Sequence, residues 1–176
     1  MISATFYNLL KNKFPFTPTY NQDLFFQKIA IFLTENQNDT IFVLKGFAGT
    51  GKTTVISTIV NNLLEINKKY VLLAPTGRAA KVIANYSAKP AFTIHKKIYF
   101  PKKNAGGGLS FTLQQNKHKN TVFIVDEASM ISDVDSDSKM YANGSLLDDL
   151  ISYVYSGTNC KMILLGDTAQ LPPVNL

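Results

Sequence analysis

Residues 46–53 have the types and spacing needed to hold a phosphate group. Their sequence, GFAGTGKT, fits the pattern G-x-x-x-x-G-K-[ST]. Glycines let the backbone turn its N–H groups toward phosphate oxygens, and the helix that follows adds the positive end of its dipole. Lys52 can reach the β and γ phosphates, and the Thr53 hydroxyl can ligate Mg²⁺. The predicted nucleotide-binding residues of this Walker A loop are Gly46, Ala48, Gly49, Thr50, Gly51, Lys52, Thr53 and Thr54.

The surroundings of this loop support a nucleotide site over an accidental glycine-rich turn. A chain of ordinary composition and this length shows the full pattern by chance with odds below about one per cent. The apolar run 41–44 precedes the loop as a buried strand would, and residues 53–64 follow with helical spacing.

Further polar residues are placed to complete the chemistry. Asp126 and Glu127 directly follow an apolar run. The first carboxylate can hold Mg²⁺ across from Thr53, and the second can orient and deprotonate an attacking water. Beside a phosphate loop, this interpretation is favoured over an acidic pair that only complements a helix dipole. Gln170 can bond both the γ-phosphate and that water, and the amide of Gln22 suits the donor–acceptor edge of adenine.

The elements that must position these residues alternate between two patterns. Four apolar runs predict buried parallel strands, at 41–45, 70–74, 121–125 and 162–165. Helical patterns lie at 22–33, 52–66, 78–86 and 145–155. The alternation predicts an α/β fold, with helices on both faces of a parallel sheet and ligands beyond the carboxyl ends of the strands.

Two segments interrupt the alternation. Residues 98–117 predict an inserted β-hairpin, with aromatic arms, the basic pair Lys102 and Lys103, and a glycine-rich turn at 104–108. Residues 132–144 are polar and acidic and predict a surface loop.

Charge and composition indicate the class of partner. The 176 residues carry a net charge of +6 and are 45% hydrophobic, which suits one domain with its own core. Residues 66–125 contain eleven basic side chains and no acidic one. This block favours nucleic acid as a partner over an ordinary lysine-rich surface. No apolar run approaches the roughly 20 residues of a membrane helix, and the lone Cys160 excludes an internal disulfide. A cytoplasmic protein is expected.

Five segments together resemble superfamily 1 DNA helicases, most closely those of the RecD and Dda type. They are 46–53, 74–81, 93–95, 126–130 and 166–174, in the family's order, and the resemblance extends over 22–174. It implies a RecA-like P-loop NTPase domain that uses ATP and Mg²⁺. It also implies an ATP-dependent 5′-3′ DNA helicase that acts on single-stranded DNA.

The resemblance also implies roles for individual residues. Lys52, Glu127 and Gln170 are the catalytic residues, with Glu127 as the base and Gln170 as the γ-phosphate sensor. Thr53 and Asp126 hold the metal, and Gln22 reads adenine. The DNA backbone contacts are Pro75, Thr76, Gly77, Thr93 and His95. For His95 a purely structural role stays open, and Arg78 can brace the helix that it opens instead of contacting DNA.

In this family the element at 98–117 acts as a strand-separating pin. A plain surface hairpin is the alternative, because glycines at 106–108 add flexibility where a pin should be stiff.

These helicases also have a second RecA-like domain that supplies arginines to the transition state, whereas Arg78 is the single arginine here. Residues 1–176 are therefore expected to be the N-terminal ATPase domain of a longer helicase, with the C-terminal motor domain as its partner. Alone, it should hydrolyse ATP very slowly and not unwind DNA. The alternatives are a stand-alone P-loop NTPase or kinase with the hairpin as a lid, and a nucleotide-gated binding module without catalysis.

Overall fold

A computed structural model describes residues 2–35, 40–47, 49–103, 109–131 and 141–167. Several predicted features lie outside these ranges: Ala48, Gln170, the hairpin turn at 104–108 and residues 132–140 of the acidic loop.

The core of the fold is a parallel sheet of five strands in the order β1-β7-β6-β2-β3. The strands are β1 (Ile41–Lys45), β2 (Lys69–Ala74), β3 (Ala91–Thr93), β4 (Tyr99–Lys103), β5 (Leu109–Leu113), β6 (Thr121–Val125) and β7 (Lys161–Gly166), and β4 and β5 pair antiparallel as a separate hairpin. The helices are α1 (Ile2–Lys13), α2 (Tyr20–Thr34), α3 (Lys52–Asn62), α4 (Gly77–Ser87), α5 (Ile94–Ile98) and α6 (Leu146–Tyr155). The predicted α/β fold with a parallel sheet is confirmed.

Two α-helices and one strand were not predicted: α1, α5 and β3. A strand of three residues and a helix of five are too short to show a hydrophobic period. The predicted helix 52–66 is divided, because α3 ends at Asn62 and a 3-10 helix, Leu63–Ile66, follows it. There Asn67 adopts a left-handed conformation, with φ of 55°, and turns the chain into β2.

The strand register brings the carboxyl ends of three strands to one edge. Lys45 at the end of β1 lies opposite Gly166 at the end of β7, and Val125 of β6 lies opposite Leu164 of β7. Since β7 lies between β1 and β6, the segments that follow these three strands lie next to one another at the carboxyl edge of the sheet.

Each face of the sheet has its own core. On one face, α1, α2 and α3 bury apolar side chains that include Phe6, Phe26, Ile29 and Ile59. On the other face, α5, α6 and the base of the hairpin enclose a second cluster around Ile98, Tyr99 and Leu150. Burial of apolar surface on both faces holds the strand ends in a fixed relation.

Side-chain caps fix where the helices begin. Thr19 and Gln22 form a capping box at the start of α2. The hydroxyls of Thr76, Thr93 and Ser145 accept hydrogen bonds from the first turns of α4, α5 and α6. Within the described residues, no helix has the length and apolarity needed to cross a membrane.

Candidate functional site

The loop after β1 exposes backbone donors at the start of α3. Gly49 and Gly51 have φ of 80° and 81°, a left-handed conformation that other residues rarely adopt. Gly51 is the N-cap of α3, and no side chain in the described ranges caps this helix. The N–H groups of its first turn, including those of Thr53 and Thr54, therefore remain available to an anion, at the positive end of the helix dipole.

The Lys52 ammonium lies inside this loop. It donates hydrogen bonds to the carbonyls of Gly46 and Phe47, the latter at 2.8 Å. The Thr50 hydroxyl donates to the same Phe47 carbonyl at 2.8 Å. A Cβ on Gly46 would lie 3.2 Å from that hydroxyl, so the absence of a side chain at Gly46 keeps the turn compact.

The carboxylates of Asp126 and Glu127 follow β6. The Glu127 N–H donates to Asp126 Oδ1 at 3.0 Å, which orients the Asp126 carboxylate. Glu127 has a φ of 53°, and three of the other four described non-glycine residues with positive φ are asparagines, which tolerate it better. Strained backbone held in place by its surroundings is a recurrent feature of functional sites.

The electrostatics show that these groups share one environment. Burial raises the pKa of Asp126, against the opposing effects of its hydrogen bond from Glu127 and of the Lys52 charge. Burial also raises the pKa of Glu127, and the charges of Asp126 and Asp167 raise it further while Lys52 lowers it. A carboxylate with a raised pKa is a better proton acceptor, as a general base requires.

Five of the predicted phosphate-binding residues and both predicted metal ligands line one pocket of about 450 Å³. Its lining includes Gly49, Gly51, Lys52, Thr53, Thr54, Asp126, Glu127 and Asp167. Asp167 was not among the predicted site residues, although a carboxylate directly after the last apolar strand was the signal for it. Gly46 lies beside this strand end, with its N–H donating to the Gly166 carbonyl at 3.3 Å.

Oxygen donors in this pocket suit Mg²⁺. Thr53 and Asp126 bring a hydroxyl and a carboxylate to the same lining, and Mg²⁺ takes few protein ligands and fills its octahedron with water and phosphate oxygens. Among the described residues there is no group of three or more His, Cys, Asp and Glu side chains that could form an all-protein metal cage.

A second pocket, of about 680 Å³, lies on the Gln22 side of the loop. Gln22 Nε2 donates to the Thr50 carbonyl at 3.3 Å, and Phe47, 64% exposed, also lines this pocket. The two pockets have Gly49, Gly51 and Lys52 in common, so they meet across the loop. Phe47 was not predicted, because the x positions of the loop pattern carry no residue preference.

Most of the predicted DNA-contacting residues lie at the carboxyl edge of the sheet. Thr76 accepts from the Ala79 N–H at 3.2 Å and Thr93 accepts from the Lys96 N–H at 3.2 Å. Each hydroxyl still has its proton to donate. Ala74 at the end of β2 pairs with Thr93 at the end of β3, so the starts of α4 and α5 are neighbours. Pro75 is half-buried and Gly77 is exposed.

His95 lies in a cluster of aromatic rings at the base of the hairpin. Its ring centroid is 5.7 Å from that of Tyr99 and 5.5 Å from that of Phe111. Its Nε2 is 3.4 Å from the Tyr141 hydroxyl. The half-buried imidazole therefore packs between the hairpin and the segment that leads into α6.

Comparison with known proteins identifies similar sequences. The family profile described as "AAA domain" matches residues 27–176. The chain is 31% identical to the RecBCD enzyme subunit RecD of Buchnera aphidicola (from Acyrthosiphon pisum), over 94% of this chain and 27% of that protein. It is 31% identical to the ATP-dependent RecD2 DNA helicase of Deinococcus radiodurans, over 77% of this chain and 16% of that protein. The ATP-dependent DNA helicase dda of phage T4 is also 31% identical, over 74% of this chain and 28% of that protein.

These relatives confirm the resemblance to superfamily 1 motor domains of the RecD and Dda type. They are also much longer, since the chain spans between 11% and 33% of the length of the curated relatives it matches.

Proposed function

Since the chain belongs to the AAA domain family, with residues 27–176 matched, we propose that it is the ATP-binding motor domain of an ATP-dependent 5′-3′ DNA helicase. The observation that carries this proposal is the common pocket of Lys52, Asp126 and Glu127. Lys52 begins α3, after the loop that follows β1, whereas Asp126 and Glu127 follow β6, and β7 separates the two strands. Hydrolysis of a nucleotide needs a cation, a metal ligand and a base on one phosphate, and here all three types meet.

Each residue in the pocket has a proposed task. The Lys52 ammonium exchanges its carbonyl partners, Gly46 and Phe47, for phosphate oxygens. Thr53 and Asp126 hold Mg²⁺, which when bound neutralises charge developing on the phosphates. Glu127 accepts a proton from the attacking water. Gln170, by the resemblance alone, senses the γ-phosphate.

The adenine side of the site belongs to the pocket that contains Gln22. The nitrogen of the Gln22 amide donates to the Thr50 carbonyl, and its oxygen accepts from the Thr19 N–H. A base entering this pocket would meet an amide already oriented by the loop and the capping box. We assign recognition of adenine to this amide.

The edge formed by Thr76 and Thr93 is the proposed contact with single-stranded DNA, together with Pro75, Gly77 and His95. Hydroxyl and backbone donors fix a strand through its phosphates without reading its sequence, as a translocating motor requires. The hairpin β4–β5 next to this edge is the proposed strand-separating pin.

Full activity is proposed to depend on residues from a second motor domain. Arg78, the single arginine, is exposed in the first turn of α4. An arginine that stabilises phosphoryl transfer is worth about 10³–10⁵ in rate. Residues 1–176 alone are therefore expected to bind Mg-ATP and to hydrolyse it slowly.

Fluorescent-nucleotide binding with matched variants tests this function. Lys52→Ala should remove Mg-ATP binding, whereas Lys28→Ala, an exposed lysine on α2, should leave it unchanged. Glu127→Gln should retain binding and reduce single-turnover hydrolysis by about 10²-fold or more. Unchanged binding by the Lys52 variant would exclude the proposed nucleotide site.

The DNA half of the proposal has a separate measurement. Affinity for a labelled oligonucleotide should fall steeply as salt rises, because phosphate contacts release counterions. Rapid turnover by the chain alone, indifferent to DNA, would favour a stand-alone P-loop NTPase or kinase instead.

A further inference from the structure

A groove of about 630 Å³ lies beside the base of the hairpin, away from the nucleotide pocket. It runs between the edge strand β3, helix α5 and the chain that returns from β5 to β6. We call it the basic groove, defined by Phe92, Lys96, Lys97, Phe100, Lys117 and His118. None of its lining residues is shared with the nucleotide pocket or with the proposed DNA contacts at 75–77, Thr93 and His95.

Among the residues that the structure describes, no acidic side chain forms a salt bridge with the cations of this groove. Residues 66–125 contain no acidic side chain, and the one salt bridge within the described ranges joins Lys11 to Asp23, outside the groove. Burial lowers the pKa of Lys97. The pKa of His118 is lowered first by burial and then by the positive charges of Lys97 and Lys69. The groove therefore has a positive electrostatic potential, which favours the binding of a polyanion.

Aromatic surface accompanies this charge. Phe92 is 37% exposed and Phe100 is 61% exposed. Lys97 Nζ lies 5.7 Å from the centre of the Phe92 ring, close enough for a cation–π contact. Exposed rings interleaved with lysines are the combination that binds unpaired bases together with their phosphates.

The direction of the groove separates it from the nucleotide site. Phe92 and Lys96 lie near the carboxyl end of β3, whereas Lys117 and His118 immediately precede β6, at the amino edge of the sheet. Exposed Lys69 and Lys119 continue the positive charge along that amino edge. The opposite edge carries the acidic group Asp126, Glu127 and Asp167. A bound strand would thus be drawn along the hairpin base, away from the carboxylates.

We propose that the basic groove is a second binding site for single-stranded nucleic acid, in addition to the Thr76–Thr93 edge. The proposal rests on the proposed function, in which the domain binds a nucleic-acid strand, and adds where a further stretch of strand lies. The exposed rings of Phe92 and Phe100 favour nucleic acid over an acidic peptide, because bases offer flat faces for stacking and carboxylate side chains do not.

Lysine footprinting of the 176-residue chain tests the site directly. The chain is acetylated with and without a saturating thymidine oligonucleotide of about fifteen nucleotides, a length typical of single-strand sites. Mass spectrometry then gives the modification of each lysine. Lys96, Lys97 and Lys117 should be protected several-fold, whereas the exposed controls Lys13 and Lys28 should not.

A substitution provides the second readout. Phe100→Leu keeps an apolar side chain but removes the ring, and should weaken oligonucleotide binding at least about fivefold. Phe16→Leu, at a ring that is 67% exposed outside the groove, should not weaken it. Nucleotide affinity should be the same in both variants.

The possible outcomes separate this inference from the proposed function. Binding of the oligonucleotide without protection of the groove lysines would overturn the groove and leave the Thr76–Thr93 edge standing. Protection by polyglutamate and not by the oligonucleotide would overturn it in favour of an acidic peptide. If no oligonucleotide binds while Mg-ATP does, both nucleic-acid assignments fail and the nucleotide site remains.

Discussion

The Gln22 side chain joins the start of α2 to the phosphate loop, with Nε2 donating to the Thr50 carbonyl at 3.3 Å. Its Oε1 accepts from the Thr19 N–H at 3.0 Å, and the Thr19 hydroxyl accepts from the Gln22 N–H. One amide thus completes a helix cap and contacts the proposed phosphate loop. The position of the loop is therefore linked to the integrity of α2.

Replacement of Gln22 by Ala is expected to weaken Mg-ATP binding by more than its effect on stability explains. Thr19→Ala is the matched control, because it also breaks the capping box but leaves the Gln22 amide in place. Each should lower the free energy of unfolding by about 1 kcal/mol. Only Gln22→Ala should reduce nucleotide affinity strongly in a fluorescence titration. Equal losses of nucleotide affinity in both variants would show that Gln22 acts only as a helix cap.

Substitutions of the two left-handed glycines should differ in cost. A Cβ on Gly51 would lie 2.9 Å from Gln22 Nε2, whereas a Cβ on Gly49 would meet no described atom within 4 Å. Gly49→Ala should therefore show only the backbone cost of roughly 1–2 kcal/mol, and Gly51→Ala should add a smaller cost, because the flexible end of the Gln22 side chain has to move and give up its hydrogen bond to Thr50. Urea denaturation measures both.

Gln22 supplies the control for this pair. In a Gln22→Ala background the extra cost of Gly51→Ala should disappear, because the contact is gone. If it persists, the crowding at Gly51 has another source.

Asp126 is expected to destabilise the folded protein at neutral pH. Its pKa is raised by burial, so the folded state favours the protonated form. Asp126 therefore contributes stability to the folded protein below its ordinary pKa of 3.8. This contribution is lost as pH rises through the higher pKa of Asp126 in the folded state. Asp126→Asn should therefore be more stable than the parent at pH 7, with the difference shrinking toward pH 4.

Urea midpoints at the two pH values measure this, and Glu65→Gln, at an exposed carboxylate on the 3-10 helix, is the control. Asn can still accept the Glu127 N–H, so the local backbone should persist. Stabilisation by Mg-ATP should be lost in Asp126→Asn. A variant that gains no stability at pH 7 would contradict the inferred cost of burying this carboxylate.

Asp149 anchors the hairpin to α6. It is fully buried, and its Oδ2 accepts from the Tyr99 hydroxyl at 2.6 Å and from the Ala142 N–H at 3.0 Å. Asn143 donates to Oδ1 from its backbone at 2.8 Å and from its side chain at 2.7 Å. Tyr99→Phe should lower stability by about 1–3 kcal/mol, since it removes a hydrogen-bond donor from a fully buried side chain.

Tyr86→Phe is the control, because that hydroxyl belongs to a side chain that is 68% exposed. It should change stability by less than about 0.5 kcal/mol. Similar melting temperatures for both variants would show that the Tyr99–Asp149 bond does not hold the hairpin base.

The local parts of the candidate site have recognisable sequence patterns, because their chemistry restricts residue types over a few positions. Lysine, hydroxyl and glycines at 46–53 identify a phosphate loop by spacing alone, and four strands of the sheet are visible as continuous apolar runs. α1, β3 and α5 were not predicted, because their placement depends on packing rather than on a period. α1 lies along α2 and α3, and β3 is only three residues long.

Distances between separate segments were decided by tertiary structure. The sequence contains the pattern of a phosphate loop and an acidic pair, but the insertion of β7 between β1 and β6 brings Asp167 beside Glu127. Likewise, the family resemblance suggested that His95 contacts DNA, whereas packing against Tyr99 and Phe111 sets its surroundings. Strand order and side-chain packing arise from contacts between residues far apart in the chain, and a local pattern does not contain them.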